Sequence, residues 1–375
     1  MKPLHVAIDA RVLGERGVGR YLSSLLAALA SIKGPQRYSL FVNSKSRPEL
    51  APSDPRFEIV NLGAVSPALA EQRLIPRLAK ARGADLLHYP DNTGALFPGL
   101  PMVLTLHDGM WRRPLSEAIL HPSLRQRLQD SYRKFVCPRA ARRAAAVITV
   151  SRFSARELAL ALGLGPTLHV VPNALGPGFE RPLPAAALKR ELAGLGLSGA
   201  FFFCSGAADR RKNISRLIRA FAAARLKGMR LVVSSLRPGE QAATDYAAVA
   251  RACGAEDSVR FTGFVSEIQL KALYQGASAY VFPSLWEGFG LPMLEAYALG
   301  CPVLASNAGA LPEVGGKAAL YADPQSEASL TEGLGRVLKL HRPEFRRRAK
   351  RELARFSWER SAAQTLDIYY RAAAS

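Results

Sequence analysis

The chain has 375 residues, enough for two domains of ordinary size, and its 49% hydrophobic and 22% charged residues describe a globular protein, not a disordered one. Lys and Arg number 51 against 30 Asp and Glu, and a net charge of +21 fits an anionic membrane surface as a partner or simply a solvated basic face, with nucleic acid behind both. No zinc-finger or ribonucleoprotein pattern accompanies the charge, no apolar run approaches the ~20 residues of a membrane-spanning helix, and Cys137, Cys204, Cys253 and Cys301 are too scattered for a disulfide or zinc framework. The start, Met1-Lys2-Pro3 before an apolar run, is too short for a secretory signal, so the expected address is the cytoplasm, with peripheral contact at the inner face of the membrane.

In chain order, 6–8, 38–42, 86–88, 103–106, 147–150 and 168–171 read as strands, with helical spacing at 21–30 and 124–143 between them. Asp9-Ala10-Arg11 ends the first strand, and Gly17-Val18-Gly19-Arg20-Tyr21 forms a short glycine loop opening a helix. The stretch 69–84 reads as a basic amphipathic helix interrupted by Pro76, of the kind that lies in a membrane interface. His88 and His107 each end a strand, where a lone histidine is ordinarily structural. The density of Pro and Gly at 172–182 marks an interdomain linker. Strands then resume at 200–204, 230–234, 259–261, 279–282, 303–306 and 319–321, and Ser357 is a suitable N-cap for a last helix. Strands alternating with helices in both halves predict an α/β protein of two doubly wound parallel sheets. The expected domains are 1–177, completed by the helix 357–375, and 178–356.

The chemistry concentrates in the second half. Arg210-Arg211-Lys212-Asn213 follows a strand and the turn Ser205-Gly206, and leads into a helix at 214–224. Cations at a helix N-terminus oppose its dipole, and a diphosphate held there supplies the reason for them. Farther on, the run Pro283-Ser284-Leu285-Trp286-Glu287-Gly288-Phe289-Gly290-Leu291-Pro292-Met293-Leu294-Glu295 lies in a strand–turn–helix unit. Ligands collect at the carboxyl ends of strands in such units, where a helix N-terminus offers free N–H groups to an anion. Gly288 and Gly290 allow close approach of backbone to ligand, and carboxylates on both sides accept hydrogen bonds from sugar hydroxyls. The combination predicts a sugar nucleotide.

Glu287 to Glu295 resembles the E-x7-E signature of the retaining, GT-B-fold glycosyltransferases of family 4, and Glu-Gly-Phe-Gly-Leu-Pro matches its common form letter for letter. The resemblance covers nearly the whole chain and implies two Rossmann-like domains facing a cleft, the first for acceptor and the second for donor. It implies that Arg211 and Lys212 hold the donor diphosphate, with Gly17, Gly19, Gly290 and Leu291 close to it. It further implies that Glu287 and His107 lie at the transferred sugar, and that Glu295 binds the ribose. Gly206, Gly288, Phe289, Phe264 and Val265 would surround the sugar, ribose and base, and Ala308 to Val314 would pack beside the donor. His88 has a weaker claim, to the acceptor side.

Retention in this family is usually explained by front-face substitution, which needs no enzymic nucleophile. No Asp-x-Asp pair is present to hold a divalent ion, so neither metal nor cofactor is expected. Asp9-Ala10-Arg11, the Gly17–Gly19 loop and Arg211-Lys212-Asn213 look most like bacterial enzymes that transfer mannose from GDP. The expected donor is GDP-mannose or GDP-rhamnose, and the expected acceptor a lipid-linked or glycan chain of surface polysaccharide or lipopolysaccharide. UDP-glucose or UDP-N-acetylhexosamine stands next. A sugar-nucleotide epimerase of similar fold, or a basic nucleic-acid-binding protein, stands further off.

Overall fold

The alternation of apolar runs and helical spacings folds into two parallel sheets, each in its own unit. The computed structural model describes residues 3–15, 17–119, 122–206, 209–236 and 241–375, so Met1 and Lys2 lie outside the described residues. One unit comprises Met1–Arg113, Ser123–Gly176 and Phe356–Ser375; the other comprises Pro114–Pro122 and Pro177–Arg355. The segment 114–122, expected in the first domain, groups with the second unit because Ile119 bridges Asp209 and the Arg210 guanidinium donates to the Ser116 carbonyl. Besides this excursion at 114–122, the chain passes between units at Gly176–Pro177, inside the Pro- and Gly-rich stretch, and at Arg355–Phe356.

The first sheet contains β1 (His5–Asp9), β2 (Arg37–Val42), β3 (Phe57–Asn61), β4 (Leu86–Tyr89), β5 (Met102–Thr105), β6 (Ala146–Thr149) and β7 (Leu168–Val170), in the order β3-β2-β1-β4-β5-β6-β7. Its residues alternate between two covered faces, as a parallel sheet requires. Val6, Ile8, Val103 and Ile148 pack under the helices Val18–Ser31 and Trp358–Ala373, while Ala7, Leu87, Leu104 and Val147 face the helices Ile75–Ala81 and Leu124–Arg143. The edge strand β3 escaped the sequence reading because only Phe57 and Val60 of its five residues are buried.

The stretch 69–84 departs from expectation. It forms Pro67–Leu69, a π-helical turn Ala70–Leu74 and the helix Ile75–Ala81, with Pro76 tolerated in the first turn. Ala70, Ile75 and Ala79 are buried in the core, so its apolar face is occupied and not available to a membrane. No helix among the described residues is long and apolar enough to cross one.

The second sheet contains β8 (Phe201–Cys204), β9 (Arg230–Val233), β10 (Val259–Phe261), β11 (Ala279–Phe282), β12 (Val303–Ser306) and β13 (Leu320–Ala322), in the order β10-β9-β8-β11-β12-β13. One face packs Phe202, Cys204, Val233 and Val281 against the helix Ile214–Ala224 and its neighbours. The other packs the rings of Phe203, Tyr274, Tyr280 and Phe282 together, edge to face around Tyr274 and tilted elsewhere, with centroids 5.1–5.5 Å apart. The strand order reverses at the β8–β11 pair, the switch point at which a doubly wound sheet opens a crevice.

Candidate functional site

Both charged motifs leave the sheet at this switch point. After β8 the chain turns through Ser205-Gly206 and forms the one-turn helix Arg210–Lys212; after β11 it runs into the Glu287 loop. Asn213 locks the two together. It takes a left-handed conformation (φ 59°) before the helix Ile214–Ala224, and its amide donates to the carbonyls of Pro283 (3.1 Å) and Pro324 (2.7 Å). The Leu285 N–H donates to the Arg211 carbonyl at 2.7 Å.

The result is an ion pair between residues 75 apart, with Lys212 Nζ 2.6 Å from Glu287 Oε1 and both side chains largely buried. Burial acts to raise the Glu287 pKa, but Lys212 and then Arg211 outweigh it and hold the carboxyl below its ordinary value. Lys212 also lies 5.0 Å from the centre of the Phe282 ring, and its stem crosses Gly206, whose Cβ would stand 2.9 Å from Lys212 Cε. Gly206, expected among the sugar and base contacts, thus accommodates the lysine. Arg211 is clamped by the Asp209 carboxylate and lies 5.9 Å from the Trp286 ring. Asp209, which also accepts from the Arg211 N–H at 2.9 Å, was not foreseen; an Asp just before a basic turn is its only sequence signal.

The Glu287 loop is held from behind. A Cβ at Gly309 would stand 2.7 Å from both N and O of Glu287, and the Ala310 N–H donates to the Glu287 carbonyl at 3.0 Å. The segment Ala308 to Val314 therefore packs on the loop carrying the acid. Gly290 has φ 105° and begins the helix Leu291–Ala298 without a side-chain cap, leaving the amino end of that helix beside the Glu287 loop. Gly288 and Phe289 are buried within the loop, and Glu295 is buried one turn into the helix. Phe264 is exposed and Val265 half-buried after β10.

In the first unit, Gly17 (φ 74°) opens the helix Val18–Ser31 and faces open space, whereas a Cβ on Gly19 would meet the Val12 carbonyl at 2.4 Å. His107 is half-buried; its Nε2 donates to the Pro90 carbonyl at 2.9 Å, and Tyr21 meets the ring edge-on at 4.7 Å. His88 does not line a surface. It is fully buried beneath the terminal helix, between Thr105 Oγ1 (2.9 Å) and the Tyr369 hydroxyl (2.7 Å), and burial, aided by His107, lowers its pKa to about 3. The acceptor-side expectation for His88 is thereby corrected, since a neutral buried imidazole with both nitrogens engaged is structural.

Arg11 joins Asp9 (2.6 Å) to Glu71 (2.8 Å), and Glu71 also accepts from Thr93 (2.8 Å) and Tyr132 (2.9 Å). These groups floor a cleft of about 640 Å³ at the carboxyl edge of the first sheet, whose walls include Asn43, Asp91 and Arg133. A smaller hollow of about 420 Å³, lined by Arg225, Lys227 and Arg230, opens at the amino ends of β9 and β10, away from the Glu287 loop.

Two Rossmann-like parallel-sheet units, the second with paired cations and acids at its switch point, define a glycosyltransferase of the GT-B class. Residues 16–177 match the model described as Glycosyltransferase Family 4, and residues 190–354 the one described as Glycosyl transferases group 1. The chain belongs to the family-4 glycosyltransferases. It is 33% identical over 288 residues to an MMP alpha-(1->4)-mannosyltransferase of Mycolicibacterium hassiacum, covering 74% of this chain and 66% of that protein. It is 39% identical over 116 residues to the O-antigen chain mannosyltransferase B of Escherichia coli, 30% of each chain. The alignments thus span about two thirds of the first relative and under a third of the second. Sucrose-phosphate synthase from Thermosynechococcus elongatus shares the fold at a TM-score of 0.74 and 21% identity, over 99% of this chain and 100% of that one.

Proposed function

We propose that the chain is a retaining hexosyltransferase that takes GDP-mannose or GDP-rhamnose as donor and a lipid-linked or glycan acceptor, in assembly of bacterial surface polysaccharide or lipopolysaccharide. The observation that carries this reading is the Lys212–Glu287 pair at the β8–β11 switch point, beside Arg211 and the amino end of the helix Leu291–Ala298. A diphosphate enters by exchange: its oxygens take over Lys212 and Arg211 from Glu287 and Asp209. Glu287, ionised at neutral pH, is then released to accept hydrogen bonds from the sugar hydroxyls. As the anomeric C–O bond breaks, the two cations stabilise the charge on the departing diphosphate. A departing phosphate oxygen accepts the acceptor hydroxyl's proton on the same face of the sugar. Glu295 serves the ribose, and Gly17, Gly19 and His107 are assigned ligand contacts by resemblance alone.

The choice of mannose rests on the names of the relatives above, and guanine on the motif likeness. Transfer without a metal ion is part of this reading, supported by the missing Asp-x-Asp pair and by Arg211 and Lys212, which can supply the positive charge. A thermal-shift panel of GDP, UDP, ADP and their sugar conjugates tests the donor, because a ligand of the folded state raises apparent stability. Selective stabilisation by GDP and GDP-mannose is expected. A UDP-selective shift would replace the donor and keep the enzyme class, and no shift from any nucleotide would overturn the reading.

A further inference from the structure

The helix Leu124–Arg143 has two apolar faces: one enters the core, and the other, among the described residues, is exposed. Val136, Cys137, Ala140 and Ala141 enter the core of the first unit. On the opposite side, steps of four, three and four residues align Leu124, Leu128, Ser131 and Phe135, all exposed. Leu124, Leu128 and Phe135 are 74%, 64% and 52% exposed, and Phe97, on the loop before β5, is 77% exposed. A large apolar side chain left this open is ordinary when single; a line of them on one helix is not.

The flanks of the line are cationic. Arg125 and Arg139 border it on one side, Arg127 and Lys134 on the other. The helix carries seven Arg or Lys against one acid, Asp130, which pairs with Lys134 at 2.6 Å. Two arginines lie over the exposed rings: Arg139 is 3.8 Å from the centre of Phe135, and Arg143 is 4.8 Å from that of Phe97. Their guanidinium groups therefore lie on the apolar rings themselves, donating to the Phe135 and Leu96 carbonyls, so cation and apolar surface are contiguous.

From this arrangement we infer that the exposed face of Leu124–Arg143, with Phe97, docks on an anionic lipid bilayer. An apolar stripe between two rows of cations matches the interface of such a bilayer in depth and sign: the side chains enter the acyl boundary and the guanidinium groups meet lipid phosphates. A folded protein partner matching it would need an apolar ridge with acidic margins, whereas a bilayer offers both everywhere on its surface. On the transferase reading the placement gains a use. The neighbouring face of the same helix supplies Arg125, Gln129, Tyr132 and Arg133 to the polar cleft of the first unit, which brings that cleft close to the headgroup of a lipid-linked acceptor. The inference itself stands on the helix and not on that reading.

The test is flotation of the full chain with phosphatidylglycerol–phosphatidylcholine vesicles, compared with pure phosphatidylcholine, alongside the variant Leu128→Ser/Phe135→Ser. Neither substituted side chain is in the core, and an unchanged melting temperature checks the fold. The wild type is expected to float with the anionic vesicles only, more weakly at high salt, and the variant to lose roughly tenfold in partitioning. Equal flotation of variant and wild type, or no flotation of the wild type, would overturn the inference. So would a concentration-dependent dimer of the wild type that the variant abolishes, which would give the stripe to a second copy of the chain. Nucleotide-induced stabilisation of the same samples keeps the two proposals apart: vesicle binding without it sinks the transferase reading alone, and its persistence without vesicle binding sinks only the docking surface.

Discussion

Glu287 and Lys212 depend on one another, and that dependence separates a structural contribution from a chemical one. Lys212→Met leaves a buried carboxylate without its cation, so the Glu287 pKa rises and the protein loses about 2 kcal/mol, less than the ~3–5 of a fully enclosed pair. Lys212→Met/Glu287→Gln removes both charges and recovers most of that loss in a denaturant titration, but no activity. Glu287→Gln alone is expected to reduce transfer by roughly a hundredfold or more while nucleotide binding survives; full activity would sink the assignment of Glu287. Gly309→Ala tests the support behind the acid, since its new methyl must displace the Glu287 backbone and the residue has φ 64° besides. It should cut the rate by about tenfold through misplacement, with the chemical groups untouched. The motif residues were legible in the sequence because charge and glycine in a strand–turn–helix setting have few other uses. Their partners were not: Asp209 and Gly309 act through contacts that only the folded loops create.

At the scale of elements, the terminal helix Trp358–Ala373 closes the first unit, placing Ala362, Ile368 and Tyr369 in the core with β1 and the Tyr369 hydroxyl on His88. The His88 pKa of about 3 in the folded protein, against an ordinary 6.5, fixes a sign. Above pH 6.5 both states are neutral there and the full stability is present; as pH falls from 6.5 towards 3 the unfolded chain takes up a proton that the folded one refuses. Stability therefore declines through this window by about 1.4 kcal/mol per pH unit from this group. Tyr369→Phe should cost about 1–3 kcal/mol at pH 7 by leaving a ring nitrogen unpaired, and His88→Gln should flatten the acid limb of the melting curve. An unchanged acid limb in His88→Gln would show that His88 does not set it. The strands of both sheets were readable because parallel strands buried on two faces are nearly continuous apolar runs. Edge strand β3, buried at two positions, lacked that signature. The stretch 69–84 misled for the converse reason, since an amphipathic pattern states that an apolar face exists but not what covers it. In the same unit Leu124–Arg143 was legible as a helix while its outward apolar line was not, because one sequence was encoding two apolar faces at once.

The charge of +21 belongs to the molecule as a whole, and it complicates the measurement on which the donor assignment depends. A protein with 51 cationic and 30 anionic side chains repels itself, so any added salt or polyanion should stabilise it a little without occupying a site. The melting temperature of the free chain is therefore expected to rise as sodium chloride increases from about 20 to 200 mM, over which the Debye length falls from ~20 to ~7 Å. Nucleotides bring the same diffuse charge, so GDP and GDP-mannose have to be compared with inorganic pyrophosphate at fixed ionic strength. Occupation of the Arg211–Lys212 site predicts a shift that saturates with concentration, exceeds that of pyrophosphate and persists at 200 mM salt, because a ligand enclosed beside buried groups is screened less than one held by the surface. The same shift should vanish in Lys212→Met, whereas the non-specific salt response should survive almost unaltered, since one charge among 51 is removed. A nucleotide shift no larger than that of pyrophosphate, and equal in the variant, would mean that the overall charge and not the switch-point site had been measured.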